Sequence, residues 1–350
     1  MPDWALAHGV ITAEARIRTT PEDFAVEEVL GFEADGQGEH LLVRVEKRSA
    51  NTLWVARELA RYVGIPAREV SYAGIKDRHA LAMQHFSLRL GKRPTPDFTS
   101  HQHPEFRVLG CARHRRKLRI GALKGNRFRL VLRGLSVPSN SLEPKLGLMR
   151  RLGVPNYFGP QRFGRAGANI PRTAAMFSGK DPIRDRKLRG LLLSTARSLI
   201  FNALLSKRVE TQSWNIPQPG EVCMLDGSHS VFAVEHVDAT LLARARDCDL
   251  HPTGPLWGAG ENRTSGRVAL LETEVASDHA IYAGGLERAG VQAARRALRL
   301  PLRDLTWDAS APDRLMMEFF LPAGAYATAV LRELVDFTDS NEVQGDADAD

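Results

Sequence analysis

Arg314-Leu315-Met316-Met317-Glu318-Phe319-Phe320-Leu321 reads as a β-strand, and Pro322 and Gly324 then turn the chain into a helical pattern that ends near Val335. This strand–turn–helix matches the style of the first part of the chain more closely than that of the middle. We therefore read the middle as an insertion and the C-terminal strand as completing a sheet begun at the N-terminus.

Working back from that strand, Phe24 to Leu30, the turn Asp35-Gly36-Gln37-Gly38 and the alternating run His40 to Glu46 predict a hairpin. Gly36 and Gly38 are turn residues, because no helix start or Lys-Ser/Thr pair follows to make a phosphate loop. Asn51 can cap a helix through Leu53, Ala56, Leu59, Ala60 and Val63 that Gly64 and Pro66 end. Further strands are predicted at 83–90, 105–112 and 127–135. After residue 152 the chain becomes rich in Pro and Gly, from Pro155 to Pro171. A long helical pattern follows over about 184–211, then irregular Gly/Pro-rich segments, then helical periodicity again near 268–299.

With 350 residues, 43% of them hydrophobic, two or three ordinary domains can be built. No run of about 18 apolar residues is present, and Met-Pro-Asp-Trp at the start has no basic segment leading into an apolar one. A soluble cytoplasmic protein without membrane contact is expected, with no obligate protein partner evident. Cys111, Cys223 and Cys248 are odd in number and far apart, which fits reduced thiols and neither a disulfide framework nor a zinc site. His101 and His103 lack a Cys or carboxylate cluster beside them, so no metal is assigned.

The net charge is +7, yet Asp336 to Asp350 holds six acids and no base, so the rest of the chain is more basic than the total. An acidic tail from about 338 to 350 is read as disordered. No acid lies between Glu105 and Glu143, where Arg107, Arg113, Arg115, Arg116, Lys117, Arg119, Lys124, Arg127, Arg129 and Arg133 gather. A charge run is often only a solvated surface. Here the cations alternate with Leu118, Ile120, Phe128, Leu130 and Leu132, which predicts a strand face carrying positive charge, a track for the phosphates of a polyanion.

Ser71-Tyr72-Ala73-Gly74-Ile75-Lys76-Asp77-Arg78-His79-Ala80 sets one carboxylate between two cations just after a short β-type run. Neighbouring positive charge favours an ionised Asp, as a nucleophile requires. The competing reading makes Asp77 an Asx-turn or helix-cap residue. Downstream, Gly125-Asn126-Arg127-Phe128 offers an amide and an aromatic inside the basic stretch.

Tyr72 to Ala80, Gly121 to Phe128, Gly153-Val154-Pro155-Asn156-Tyr157-Phe158-Gly159-Pro160-Gln161-Arg162-Phe163-Gly164 and Leu321 to Thr328 resemble, in order, the motifs of the TruD family of tRNA pseudouridine synthases. Pro21 to Phe24 and Ser194 to Asn202 extend the resemblance over nearly the whole chain. It implies an α+β fold: a catalytic domain with the mixed sheet and flanking helices of pseudouridine synthases, from residues 1–151 and 300–350. A second α+β domain, residues 152–299, is inserted. It also implies tRNA as partner and isomerisation of uridine 13 to pseudouridine without a cofactor. Asp77 would be the nucleophile, attacking C1′ or C6. Phe24, Asn126, Phe128, Tyr326 and Arg18 match positions near the target base. Tyr326 stands where phenylalanine is familiar, and Arg18 where lysine is. Arg113, Arg115, Arg116, Lys117, Arg119 and Lys124 are candidate contacts to the RNA backbone. Asn156 to Phe163 could serve RNA or the junction between domains.

Two rival readings follow from the same residues. One is a non-catalytic RNA-binding or folding protein, which the basic sheet and aromatics alone would serve. The other is a glycosidic hydrolase pairing Asp77 with Glu27 or Glu28. Glu27 and Glu28 adjoin on a strand, so their side chains face opposite ways and cannot pair with each other.

Overall fold

In the computed structural model, which describes residues 2–99, 101 and 103–340, the chain divides into two units. One comprises Thr12–Glu143, Asp304–Gly324 and the chain from Val335; the other comprises the residues up to Ile11, Pro144–Arg303 and Ala325–Leu334. The first continuous stretch supplies β1 (Glu14–Ile17), β2 (Phe24–Val29), β3 (His40–Arg48), α1 (Thr52–Val63), β4 (Val70–Tyr72), β5 (Leu81–Arg89), β6 (Phe106–His114) and β7 (Gly125–Arg133). The middle stretch supplies α2 (Glu143–Leu152), β8 (Val154–Pro155), α3 (Asn169–Phe177), α4 (Arg186–Glu210), β9 (Glu221–Leu225), β10 (Val231–Val234), α5 (Ala239–Arg246) and β11 (Leu250–Leu256). It continues with α6 (Gly266–Asp278), α7 (Ala280–Arg288), β12 (Ala294–Ala297) and β13 (Arg299–Leu300). The last stretch supplies β14 (Thr306–Ala311), β15 (Arg314–Pro322), α8 (Ala327–Leu331) and β16 (Asp336–Asp339).

The sheet of the first unit runs β14-β15-β7-β2-β5-β3-β6, with β1 joined to β7 and β16, and β4 to β5. The strand quoted first above, β15, pairs antiparallel with the whole of β7, from Arg314 opposite Arg133 to Pro322 opposite Gly125. The C-terminal strand thus does complete a sheet begun near the N-terminus. α1 forms where Asn51 accepts the Leu53 N–H and ends where Gly64 adopts a left-handed conformation. Its Val55 and Leu59 pack with Val43, Val45, Phe86 and Leu88 in a closed apolar cluster against β3 and β5.

One sequence expectation fails here. β2 and β3 are not a hairpin: β5 lies between them, parallel to β2 and antiparallel to β3. The ten residues from Leu30 to Glu39 are far longer than a tight hairpin turn, so nothing local forces these two strands together. Strand character is written in the alternation of side chains, whereas the partner is chosen by distant ones.

In the second unit a four-stranded sheet ordered β10-β9-β11-β12 packs with helices. α4 is long and apolar enough by composition to cross a membrane, but it uses that surface inside the protein. Ala196, Ile200 and Leu204 face one cluster with Val275 and Leu286, and Phe201, Leu205 and Val209 face another with Tyr157 and Trp214. The unit boundaries differ from the 151/152 and 299/300 expected. Trp4, Ala5 and Ala7 pack against the second α4 cluster beside Ala329, and Arg332 Nη2 donates to the Trp4 carbonyl. Such contacts join the residues up to Ile11 and Ala325–Leu334 to the middle unit, which also takes in α2 from Pro144. Thr338 and Asp339, expected in the disordered acidic tail, belong instead to β16; the rest of that expectation, residues 341–350, lies outside the described residues.

Candidate active site around Asp77

The loop from Ala73 to Ala80 joins β4 to β5 and is pinned from below by buried polar groups. Thr52, the first residue of α1, accepts the Lys76 N–H at 3.1 Å and donates to Gln84 Oε1 at 3.0 Å, while Gln84 Nε2 donates to the Gly74 carbonyl at 2.6 Å. Lys47, fully buried on β3, donates to the carbonyls of Ala50 and Asp77, each at 2.7 Å. Burial pushes the Lys47 ammonium down to about 8, although the Asp77 charge acts to raise it. Every member of this network is paired, which fixes the backbone under Asp77.

Asp77 itself holds two partners. Its Oδ1 accepts the His79 N–H at 3.0 Å, the Asx-turn of the competing reading. Its Oδ2 accepts from Arg18 Nη2 at 2.7 Å, and the side chain is still 39% exposed. The turn and an accessible carboxylate coexist. Neither flanking cation, Lys76 or Arg78, forms an ion pair with the Asp77 carboxylate. Lys76 turns inward to Glu28 Oε1 at 2.9 Å, in a pair buried on both sides. Burial pushes the Glu28 carboxyl up, but hydrogen bonding from His85 and the Lys76 charge outweigh it and leave it below its usual range. The cation that reaches Asp77 comes from far away in sequence.

Arg18 lies just past β1 with φ 55°, left-handed for a non-glycine residue. Its guanidinium also pairs with Asp339 of β16 and lies over the Phe24 ring, 3.9 Å from the centroid. Phe24 meets Phe128 edge-on at 6.0 Å, and Phe128 stacks on Phe319 at 5.7 Å. Phe128 is 8% exposed, so it is a core strand residue whose edge lies near the surface. Asn126, two residues away on the same face of β7, stands opposite Glu28 of β2. Its Oδ1 is buried with no hydrogen-bond partner among the described residues. Such an acceptor is costly unless something else supplies a donor.

Asp77, Arg18, Phe24, Asn126 and Phe128 are thus gathered in the first unit. Tyr326 belongs to the second. Its hydroxyl accepts from Arg162 Nη2 at 2.6 Å and Nε at 3.1 Å, and Arg162 Nη1 donates to Ser194 Oγ at 3.0 Å. Phe158 meets the Tyr326 ring edge-on at 5.9 Å. Asn156 holds Arg296, whose guanidinium lies 4.2 Å from the Phe158 centroid. The motif from Asn156 to Phe163 is thus bound up with Tyr326.

The basic stretch is not one strand. Residues 115–124 form the loop between β6 and β7, in which Leu118 is buried and Ile120 is 83% exposed. Leu118 packs with Ala73 and Leu42, and Gly121 N–H donates to the Ala73 carbonyl at 2.7 Å, tying the loop to that of Asp77. Arg115, Arg116, Lys117, Arg119 and Lys124 are exposed along it. Arg113 is not free for phosphate. It donates to Thr95 Oγ1 and to the carbonyls of Gly38, Gly91 and Arg93, clasping surface loops. Arg127 and Arg129 leave β7 on the face opposite Asn126 and Phe128, and Arg129 pairs with Glu318.

Glu27 is bonded to Arg44 and Glu28 to Lys76, so neither is a free acid for a hydrolase. His103 stacks on Phe106 and His101 meets Tyr62, and no group of three His, Cys, Asp or Glu among the described residues could hold a metal. A cavity of about 480 Å³ between Met224, Trp257 and Arg295 contains none of the residues selected from sequence. Lys47 and Asp339 were missed, and Glu28 was read only as a rival acid, not as the partner of Lys76. For Lys47 a signal existed, since it continues the buried positions Leu41, Val43 and Val45 on an alternating strand.

Residues 7–171 and 183–334 match the family model described as tRNA pseudouridine synthase D (TruD). The chain is 48% identical to tRNA pseudouridine synthase D of Nitrosococcus oceani over 325 residues, covering 92% of this chain and 91% of the relative. It is 45% identical to that of Methylococcus capsulatus over 337 residues, 96% and 95% of the two chains. Its fold is similar to a crystal structure from Methanosarcina mazei assigned to TruD, with a TM-score of 0.73, 22% identity, and 95% and 96% coverage.

Proposed function

We propose that this chain, which belongs to the TruD family of tRNA pseudouridine synthases, isomerises uridine 13 of tRNA with Asp77 as nucleophile. The observation that carries this reading is the Asp77 carboxylate, partly exposed on a loop pinned by buried Lys47, Thr52 and Gln84 and oriented by Arg18.

The N1–C1′ bond breaks and a C5–C1′ bond forms; C5 gives up its proton and N1 gains one. No electron is gained or lost, so a carboxylate nucleophile and a proton acceptor suffice without a cofactor. A uridine in folded RNA must be extruded to be reached. The Asn126 carboxamide oxygen suits the N3–H of uracil, and the Phe24–Arg18 stack and the Phe128 edge offer surfaces to a flat ring. Arg115, Arg116, Lys117, Arg119 and Lys124, on a loop bonded to the Asp77 loop, would contact phosphates.

Incubation with tRNA tritiated at uridine C5 should release tritium, and Asp77→Asn should abolish the release. Retained activity in that variant would remove Asp77 from the chemistry. Pseudouridine mapping in tRNA from cells lacking the protein should show position 13 unmodified, and an unchanged position 13 would exclude that site.

A further inference from the structure

Three arginines stand in register across neighbouring strands. Arg16 of β1 lies opposite Arg133 of β7, and Arg133 lies opposite Arg314 of β15. Like charges directly opposite one another weaken a sheet, so such a row needs a compensating anion. The protein supplies part of it. Asp23 takes the Arg133 guanidinium through Nε and Nη2 at 2.8–3.0 Å, and Asp313 borders the same space. The Arg16 and Arg314 side chains have no hydrogen bond or close ion pair with any described residue; Arg314 acts on Asp308 only at longer range, so the row keeps positive charge that no close carboxylate answers.

The row has a shaped opening. Arg16, Arg133, Gly134, Ala311, Asp313 and Arg314 line a cavity of about 350 Å³. Gly134 has φ +59°, and a Cβ there would sit 2.9 Å from Arg16 Nη2, so glycine is what lets that guanidinium lie across the turn. Along the unbroken register of β7, Arg133 faces away from the side bearing Asn126 and Phe128. The cavity is therefore separate from the Asp77 site.

We propose that Arg16, Arg133 and Arg314 form a phosphate-binding site on the sheet face opposite Asn126 and Phe128. Guanidinium forks match phosphate oxygens in geometry as well as charge; those of Arg16 and Arg314 are not engaged by a close carboxylate, and Arg133, held by Asp23, adds its charge at the same opening. The phosphate comes from an RNA backbone or is free in solution, and the two sources separate in one experiment.

The test uses the full chain and the variant R16Q/R314Q, leaving Arg133 and its Asp23 pair intact. At low ionic strength, inorganic phosphate should raise the melting temperature of the wild type saturably, beyond sodium chloride of equal ionic strength, and should not do so for the variant. Without ligand the variant should melt at or above the wild type, because the repulsive row is gone. If RNA is the source, the variant should also bind tRNA several-fold more weakly, with the salt slope reduced by about one unit. If free phosphate is the source, tRNA binding is unchanged and only the phosphate stabilisation is lost. An equal phosphate effect in both proteins, with equal tRNA affinity and slope, would overturn the proposal. R314Q alone, read in the same assays, covers the case in which the double variant misfolds. Tritium release at saturating tRNA should be the same in all three, which keeps this test independent of the role given to Asp77.

Discussion

Arg18 and Asp77, fifty-nine residues apart, meet at 2.7 Å through Nη2 and Oδ2, while the other end of the same guanidinium holds Asp339 and its plane covers Phe24. A planar fork can serve two carboxylates and a ring at once; a lysine ammonium cannot reproduce that geometry. Arg18→Ala should therefore lower tritium release about a hundredfold, a loss of roughly 2.7 kcal/mol in transition-state stabilisation. Arg18→Lys should fall between wild type and alanine. Steady-state kinetics check this, and an alanine variant as active as wild type would reduce Arg18 to a structural ion pair.

Asn126 separates binding from folding. Its buried Oδ1 has no partner among the described residues, so removing it sacrifices no hydrogen bond to them at that atom. Asn126→Ala should leave the melting temperature unchanged or slightly raised, while activity falls about a hundredfold because the uracil edge loses its acceptor. Phe128→Ala should behave differently. The ring packs between Phe24 and Phe319, so its truncation should cost about 3–5 kcal/mol of stability whatever it does to catalysis. Thermal melts beside activity assays distinguish the two patterns.

These contrasts mark what the chain spells out locally. α1 was legible to its ends because Asn51 and Gly64 act within a few residues of themselves. The β2–β3 hairpin was not, because the identity of a strand's neighbour depends on β5, forty residues away. Asp77 was visible, but its flanking Lys76 misled: the ammonium pairs with buried Glu28, and the cation that meets Asp77 is Arg18, brought near by β1. Arg113 looked like its basic neighbours, and only the approach of the loops at Gly38, Gly91 and Arg93 gives its guanidinium a structural duty.

Lys47 gives stability a distinctive pH dependence. Burial brings its ammonium down to about 8, whereas the unfolded chain keeps that proton until about 10.5. Between these values the unfolded state binds more protons, so stability rises with pH across this window; below pH 8 both states are charged and the contribution is flat. Relative to Lys47→Met, the wild type should gain roughly 3 kcal/mol from pH 8 to pH 10.5. Denaturant melts of both proteins at matched ionic strength measure the difference, and parallel pH profiles would show that Lys47 titrates normally.

Tyr326 and Arg162 test the departure from phenylalanine. The Tyr326 hydroxyl accepts two hydrogen bonds from Arg162, which also holds Ser194. Tyr326→Phe should cost about 1–2 kcal/mol, the worth of hydrogen bonds to a charged donor, while keeping the ring against Phe158 and most of the activity. Tyr326→Ala should lose the ring and with it activity. Equal losses in the two variants would mean that the hydroxyl, not the ring, is what the reaction uses.

Salt provides the last test. The loop carrying Arg115, Arg116 and Lys117 is bonded to the Asp77 loop through Gly121 and Ala73, so RNA held at Asp77 should run past these cations. Each phosphate contact releases counterions and adds about 0.9 to the slope of log affinity against log salt. Neutralising the three together should weaken tRNA binding at low salt and lower the slope by about two to three units. Arg113→Gln should instead lower the melting temperature, because it unclasps the Gly38, Gly91 and Arg93 loops, and leave the slope unaltered. A slope that is unchanged in the triple variant would take the loop off the RNA path, and a slope reduced by Arg113→Gln would return that arginine to it.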